Sequence, residues 1–323
     1  MKQVKWGFIG CGSVTEKKSG PAFSKIPGST VVAVMRRDFQ KAEDYARRHN
    51  LPRWYNDAAK LINDPEVNAI YIATPPGSHA LYTQMAAKAK KPVYVEKPMA
   101  LNFKECEEMI AVCNKNNVPL FVAYYRRYLD KFVKIKELLS NNRIGEIRTV
   151  HIKLHQPVKK EDFSQDWRVQ PETSGGGYFY DLASHQLDLM DYFFGPIQIA
   201  KGFKENQAGF YEAEDNVTGV YRFESGILGT GSWCFTVAKE LWCDQTEIIG
   251  SKGKISYVTF DDSPIILQTN SGIEEISCPY PEHVQQQLIT AIVEDLMGRE
   301  KCRSTGYSAA RASKVMDMIT GTM

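Results

Sequence analysis

From Val4 to about Val122, short apolar runs rich in β-branched residues alternate with longer amphipathic stretches. The runs at 4–9, 30–35, 69–73, 92–96 and 119–123 read as strands, and the segments between them read as helices. Strands separated by helices of this length imply right-handed βαβ crossovers and a doubly wound parallel sheet. Beyond about residue 124 the texture changes. A helix is expected over 129–140 and a strand over 146–156, followed by a polar loop through Gln170, the run Ser174-Gly175-Gly176-Gly177, and a helix from Tyr178 through Phe194. Closely spaced strand candidates then occupy 197–203, 216–223, 226–236, 247–249, 254–260 and 265–269, with turn signals at Glu224-Ser225-Gly226 and Ser251-Lys252-Gly253. Consecutive strands joined by tight turns make an antiparallel sheet. The tail 283–297 has helical periodicity and stops at Gly298. The pattern therefore predicts an α/β domain over 1–122 and an α+β domain with a large, mainly antiparallel open sheet over 123–323.

Length and composition sharpen this picture only in part. The 323 residues exceed the size at which one hydrophobic core stops growing, which favours two domains. With 43% hydrophobic residues, 24% charged residues and a formal net charge of +2, the chain has no polyanion-binding footprint, so nucleic acid is not an expected partner. No apolar run approaches the roughly 18 residues a membrane span needs, and neither a signal peptide nor an anchor is expected. Seven cysteines without CxxC spacing, one of them Cys11 inside a glycine turn, suit buried structural thiols in a reducing, cytoplasmic compartment.

The first chemical signal lies where the first strand turns into a helix. In Lys5-Trp6-Gly7-Phe8-Ile9-Gly10-Cys11-Gly12-Ser13-Val14-Thr15, Gly10 permits the tight turn and Gly12 lets backbone approach a pyrophosphate, whose charge the helix start at Ser13 and Val14 would receive. This is the beginning of a Rossmann domain. The third fingerprint position holds Thr15 instead of Gly or Ala, which loosens the match. The second strand ends Met35-Arg36-Arg37-Asp38, with Arg36 where NAD-specific domains usually place a carboxylate. Arginine pairs with a 2′-phosphate and can stack on adenine, so Arg36 and Arg37 favour NADP over NAD, although Asp38 could still serve a ribose.

With these residues in view, the chain resembles the family of glucose–fructose oxidoreductases, inositol dehydrogenases and rhizopine-catabolism proteins. The marks are Gly10-Cys11-Gly12, the fourth-strand end Ala73-Thr74-Pro75-Pro76 followed by His79, the segment Val95-Glu96-Lys97-Pro98, and Trp167-Arg168 leading to the glycine run and Asp181-Leu182-Ala183-Ser184-His185. Departures are Thr15, Arg36, Pro76 where Asn is frequent and Ala183 where Gly is usual; none removes a proton-handling group. Thr74, Pro75, His79, Glu96 and Lys97 join the expected cofactor-binding set.

Lys97 directly follows a strand and should project from the carboxyl edge of the parallel sheet, where ligands of such sheets bind. Proline after it restricts its backbone to extended geometry. If 178–194 is helical, Asp181, His185 and Asp188 fall at i, i+4 and i+7 on one face. Oxidising an alcohol carbon requires removal of the hydroxyl proton, a task suited to an imidazole, while a nearby ammonium can hydrogen-bond the same oxygen. In the resembling enzymes these roles belong to the lysine and histidine, with the aspartate close by, and they map onto Lys97, His185 and Asp181. Lys97 and His185 are thus expected together at the nicotinamide carbon. Asp188 reads better as a structural pair. Tyr125 to Arg127, Trp167 and Arg168 are further candidates for substrate contact, with packing the better reading of Trp167.

A metal reading fails on spacing: His151 and His155 share one face of a strand but stand roughly 13 Å apart. The sequence thus points to reversible hydride transfer between NADP(H), or NAD(H), and a secondary alcohol or ketone of a sugar, cyclitol or related polyol. The alternative is a dinucleotide-binding regulator or sensor without turnover, against which the retained Lys97, Asp181 and His185 argue. The resemblance further implies a homo-oligomer, a dimer or tetramer, built by sheet-face packing.

Overall fold

All five apolar runs of the N-terminal region form strands, each bounded by glycine, proline or polar turns. The computed structural model describes residues 1–158 and 163–323. Its first sheet contains β1 (Val4–Ile9), β2 (Ser29–Met35), β3 (Trp54–Tyr55), β4 (Ala69–Ile72), β5 (Val93–Val95) and β6 (Leu120–Val122). The two residues of β3 are too few to show a period, so the pattern did not announce that strand. The order is β3-β2-β1-β4-β5-β6 with every pair parallel, the doubly wound arrangement whose switch point lies between β1 and β4. Between the strands run α1 (Ser13–Lys17), α2 (Gly20–Lys25), α3 (Phe39–Arg48), α4 (Ala58–Asn63), α5 (His79–Lys88) and α6 (Phe103–Asn116). Every residue of β4, β5 and β6 is buried, as befits strands covered on both faces.

In the second sheet, α7 (Asp130–Ser140) precedes β7 (Ile147–Pro157), and α8 (Pro171–Ser174) precedes a π-helical turn, Phe179–Ala183, that runs into α9 (Ser184–Phe194). Then come β8 (Ile197–Glu205), β9 (Asn216–Phe223), β10 (Leu228–Val237), β11 (Cys243–Gly250), β12 (Gly253–Tyr257), β13 (Ile265–Thr269) and β14 (Gly272–Ile276). The order is β14-β13-β12-β11-β7-β10-β9-β8, antiparallel throughout except for the β7–β10 pair. Exposure alternates along β9 and β10, so one face is buried and the other solvated. Trp233 on the buried face donates its indole N–H to Gln186 Oε1 of α9 at 2.7 Å. The expected polar loop before Gln170 includes residues 159–162, which lie outside the described residues.

The expected division at residue 122 is corrected by the structure. One unit comprises Met1–Tyr125 and Glu282–Ala310, the other Arg126–Pro281 and Arg311–Met323. The returning segment, which contains α10 (Gln286–Leu296), belongs to the first unit for identifiable reasons. Tyr94 of β5 donates its hydroxyl to Gln285 Oε1 at 2.6 Å, Ser304 donates to Val122 O at 2.7 Å, and Thr305 forms an antiparallel bridge with Phe121. As the periodicity indicated, the chain turns at Gly298, with φ +79. The last helix, α11 (Gly306–Thr320), was not anticipated. None of the seven cysteines forms a disulfide, and among the described residues no helix is long and apolar enough to cross a membrane.

Arg127 was expected to meet substrate. It is instead 5% exposed and gripped by two carboxylates: Nε and Nη2 donate to Asp188 at 2.8 and 2.7 Å, and Nη2 to Asp191 at 2.9 Å. Arg311 completes the cluster, donating to both oxygens of Asp191 at 2.6 and 2.8 Å. Two arginines and two aspartates neutralise one another, which permits the burial of Arg127, Asp188 and Asp191 while Arg311 stays half-exposed. Asp188 is thereby the structural pair its position suggested. Replacing it leaves a buried guanidinium short of a counter-charge. Asp188→Ala should lower unfolding free energy by ~3–5 kcal/mol in urea titration. Glu274→Gln, which breaks the exposed Arg143–Glu274 pair, should change it by ~0–1 kcal/mol. Equal effects of the two substitutions would remove the structural assignment.

Candidate active site

In the first unit, the expected nucleotide residues gather at one edge of the parallel sheet. Gly10 and Gly12 follow β1, Arg36 and Arg37 follow β2, Thr74 and Pro75 follow β4, and Lys97 follows β5. Gly10 has φ +91, and a Cβ there would lie 2.9 Å from Ala73 C and O and from Thr74 Cγ2, so the turn after β1 closes only with glycine. A Cβ on Gly12, by contrast, would meet nothing within 4 Å. Its own surroundings do not demand glycine there; the close approach of a ligand to the backbone would. Ser13 is exposed and Val14 half-buried in the first turn of α1. Thr15 is fully buried and turns its hydroxyl back onto Gly12 O at 2.9 Å. Cys11 is buried too, and burial pushes its thiol up to about 11, which makes it a poor nucleophile at neutral pH.

Arg36 is half-buried and donates from Nη1 to Cys11 O at 3.1 Å, which lays its guanidinium against the glycine turn. Arg37 is exposed. Asp38 caps α3, its Oδ1 accepting the Lys41 N–H at 3.1 Å. That backbone hydrogen bond holds its carboxyl below the usual aspartate range.

Two expected cofactor ligands turn inward instead. His79 is fully buried: Nε2 lies 2.7 Å from Thr74 O, and Nδ1 lies 3.1 Å from Pro98 O and 3.3 Å from Met99 O. Its ring joins the loop after β4 to the loop after β5, which leaves it no nitrogen for a nucleotide. Burial lowers its proton affinity, against the opposing pull of the carbonyl oxygens that face both ring nitrogens. Glu96, 8% exposed, accepts from Tyr71 OH at 2.6 Å and from Gln285 Nε2 at 2.8 Å, with the Lys97 N–H at 3.3 Å. Its carboxylate serves the interior, and only its backbone remains at the edge. Lys97 is half-buried directly beyond it.

In the second unit, Gly177 N–H donates to Glu214 Oε1 at 2.7 Å, and a Cβ on Gly177 would stand 2.5 Å from Glu214 O. The glycine run is therefore drawn tightly onto Glu214 just before the π-helical turn that carries Asp181. Asp181 is half-buried and accepts from Arg168 Nε at 3.2 Å. The Arg168 guanidinium lies 4.4 Å over the Trp167 ring, while its backbone N–H donates to Asp166. Trp167, Arg168 and Asp181 thus form one stacked, ion-paired group. His185 is 4% exposed, with its imidazole edge-to-face with Phe260 at 6.0 Å. Tyr125 is 7% exposed at the end of the first unit.

The sequence placed the run Tyr125 to Arg127 among the candidates as a whole, and the structure separates its two arginines. Within the 3₁₀ turn Tyr125–Tyr128, successive side chains point about a third of a turn apart. Arg127 meets Asp188, whereas Arg126 lies 4.8 Å over Phe260 on the His185 side. Phe260 and Gln285 were missed, since neither sits in a motif.

Comparison with known proteins agrees with this architecture. Residues 4–124 match the family model described as an oxidoreductase family with an NAD-binding Rossmann fold, and residues 132–256 match the GFO/IDH/MocA C-terminal domain. The chain is 41% identical to oxidoreductase P35 of Formosa agariphila over 99% of both chains. It is 27% identical to trans-1,2-dihydrobenzene-1,2-diol dehydrogenase of Xenopus laevis over 90% of this chain and 91% of that one. The crystal structure of aldose-aldose oxidoreductase from Caulobacter crescentus, complexed with glycerol, superposes with a TM-score of 0.87 at 23% identity, covering 98% of this chain and 96% of that one.

Proposed function

The chain belongs to the oxidoreductase family with an NAD-binding Rossmann fold and a GFO/IDH/MocA C-terminal domain, and on that premise we propose that it transfers hydride reversibly between NADP(H) and a secondary alcohol or ketone of a sugar, cyclitol or related polyol. One observation carries the reading: the glycine turn, Arg36 and Lys97 share the carboxyl edge of one parallel sheet, where ligands of such sheets bind. The open space around Gly12 fits a pyrophosphate laid on the backbone. A diol dehydrogenase and a sugar oxidoreductase among the similar proteins support an alcohol of that kind.

The nicotinamide supplies the hydride acceptor or donor when bound. The chain's own groups manage the oxygen. His185 takes the hydroxyl proton as the carbonyl forms and returns it in reduction, and Lys97 hydrogen-bonds the same oxygen as negative charge develops there. Asp181, oriented by Arg168, fixes the hydrogen bonds around that oxygen.

Cofactor choice follows from the end of β2. Asp38 is engaged in capping α3, while Arg36 presents a guanidinium beside the glycine turn. Wild-type protein should therefore bind NADPH at least tenfold more tightly than NADH, since a hydrogen bond to a charged group contributes ~1.5–3 kcal/mol. Arg36→Asp should abolish that difference in titrations of intrinsic fluorescence. A wild type that prefers NADH removes the argument.

If Lys97 and His185 act as one relay, Lys97→Ala and His185→Ala should each reduce kcat by ~10²–10⁴ with NADPH affinity little changed, and the double variant should lose far less than the product of the two. Steady-state rates on an alcohol found by screening polyols for nicotinamide reduction provide the check. Near-wild-type turnover in either single variant excludes that residue as a proton handler.

The solvated face of the second sheet presents Ile199, Val220 and Leu228, exposed by 43, 56 and 59%. We read this face as the contact between copies of the chain. Light scattering should give a dimer or tetramer, reduced to a monomer by Val220→Lys with Leu228→Lys; a monomeric wild type overturns it.

A further inference from the structure

The connection between β12 and β13 is far longer than antiparallel neighbours need, since two residues suffice for a hairpin. It is also held from four directions. Lys131 of α7, 1% exposed, donates from Nζ to Val258 O at 2.7 Å and to Asp261 O at 3.0 Å. Asp244 of β11, 4% exposed, accepts the N–H groups of Thr259 and Phe260 at 3.0 and 2.8 Å. Tyr280 OH donates to Thr259 O at 3.1 Å, and Gln186, the residue after His185, reaches Thr259 Oγ1 at 3.4 Å.

Burying an ammonium and a carboxylate is unfavourable, and register between two strands does not require it. What the clamps do fix is one half-buried ring, Phe260, set edge-to-face with the His185 imidazole at 72° and 6.0 Å, with Arg126 4.8 Å over its face. Rotation about χ2 of a histidine is broad and nearly two-fold, so an imidazole keeps one orientation only when its neighbours restrict it.

We propose that Phe260 is a positioning residue: its ring, pinned by Lys131 and Asp244, holds the His185 imidazole in its working orientation and shields its flank from water. The proposal rests on the reading of His185 as proton handler, but it can fail separately. A catalytic group must be held within about 0.5 Å of its productive geometry, and misplacement by about 1 Å lowers rate on the order of a hundredfold.

The test uses the full-length chain with Phe260→Ala, Phe260→Leu, Phe260→Tyr, Lys131→Met and His185→Ala, each checked for wild-type circular dichroism. Diethyl pyrocarbonate modification of His185, followed by peptide mass spectrometry with His151 as internal reference, needs no substrate. Phe260→Ala, or Phe260→Leu if the alanine variant does not fold, should accelerate modification of His185 severalfold. Lys131→Met should do so to a smaller degree, and Phe260→Tyr should restore the wild-type rate. Unchanged modification without the ring overturns the proposal whatever the kinetics show. In turnover, loss of the ring should lower kcat about tenfold or more with KM for the alcohol little altered. Wild-type kcat in Phe260→Ala, in an enzyme that His185→Ala inactivates, overturns it equally. Full activity in His185→Ala sinks the functional reading instead, and the modification rates then decide the role of Phe260 alone.

Discussion

The first unit is organised around a buried carboxylate. Glu96 carries its charge into an interior of aromatic side chains, which is tolerable only because donors meet it: the Tyr71 hydroxyl, the Gln285 amide and the Lys97 N–H. Those donors come from β4, from the returning segment and from the next residue. One charge therefore ties the end of β5 to its neighbouring strand and to a distant part of the chain. Tyr71 OH also lies 2.9 Å from Ser19 Oγ, so the same network reaches the junction of α1 and α2 beyond the glycine turn. Lys97 is the residue immediately after this anchor, and its backbone inherits the anchor's position.

The second unit repeats the device in its loops. Lys131 holds two carbonyls of the β12–β13 connection, Asp244 two of its N–H groups, Glu214 the N–H of Gly177, and Asp215 the N–H groups of Gln207 and Ala208. Burial opposes each of the first three charges, raising the Asp244 and Glu214 carboxyls and lowering the Lys131 ammonium, while the hydrogen bonds to backbone favour the charged carboxylates. The effect is to give irregular backbone the fixed geometry that strands and helices obtain from their own ladders. That is what residues on loops need if their side chains are to be aimed.

The sequence made legible whatever follows from period and topology. Five strand runs of the first sheet, the strand runs through 269 of the second and the glycine turn all have local signatures, and a lysine just past a parallel strand must stand at the sheet's carboxyl edge. What escaped has no local signature. Nothing in its own pattern announces that β14 is a strand, for four of its five residues are exposed. The direction in which Glu96, His79 and Arg127 point is set by Gln285, Met99 and Asp188, partners that no spacing rule connects to them. The different partners of adjacent Arg126 and Arg127 follow from the phase of a single 3₁₀ turn, which spacing does not disclose. The division at 122 was drawn where the texture changes, but texture cannot reveal that a later segment folds back.

That return shapes how the protein is made. Gln285 reaches Glu96 across 189 residues, and Ser304 reaches Val122 across 182. At about 5–20 residues per second of translation, those partners leave the ribosome on the order of ten to forty seconds after the strands they complete. For that interval the nascent Rossmann sheet lacks the amide donor that meets its central carboxylate. A ribosome-bound chain of the first 125 residues is consequently an unfinished unit, without Gln285 and Ser304 until nearly all of the protein has been synthesised.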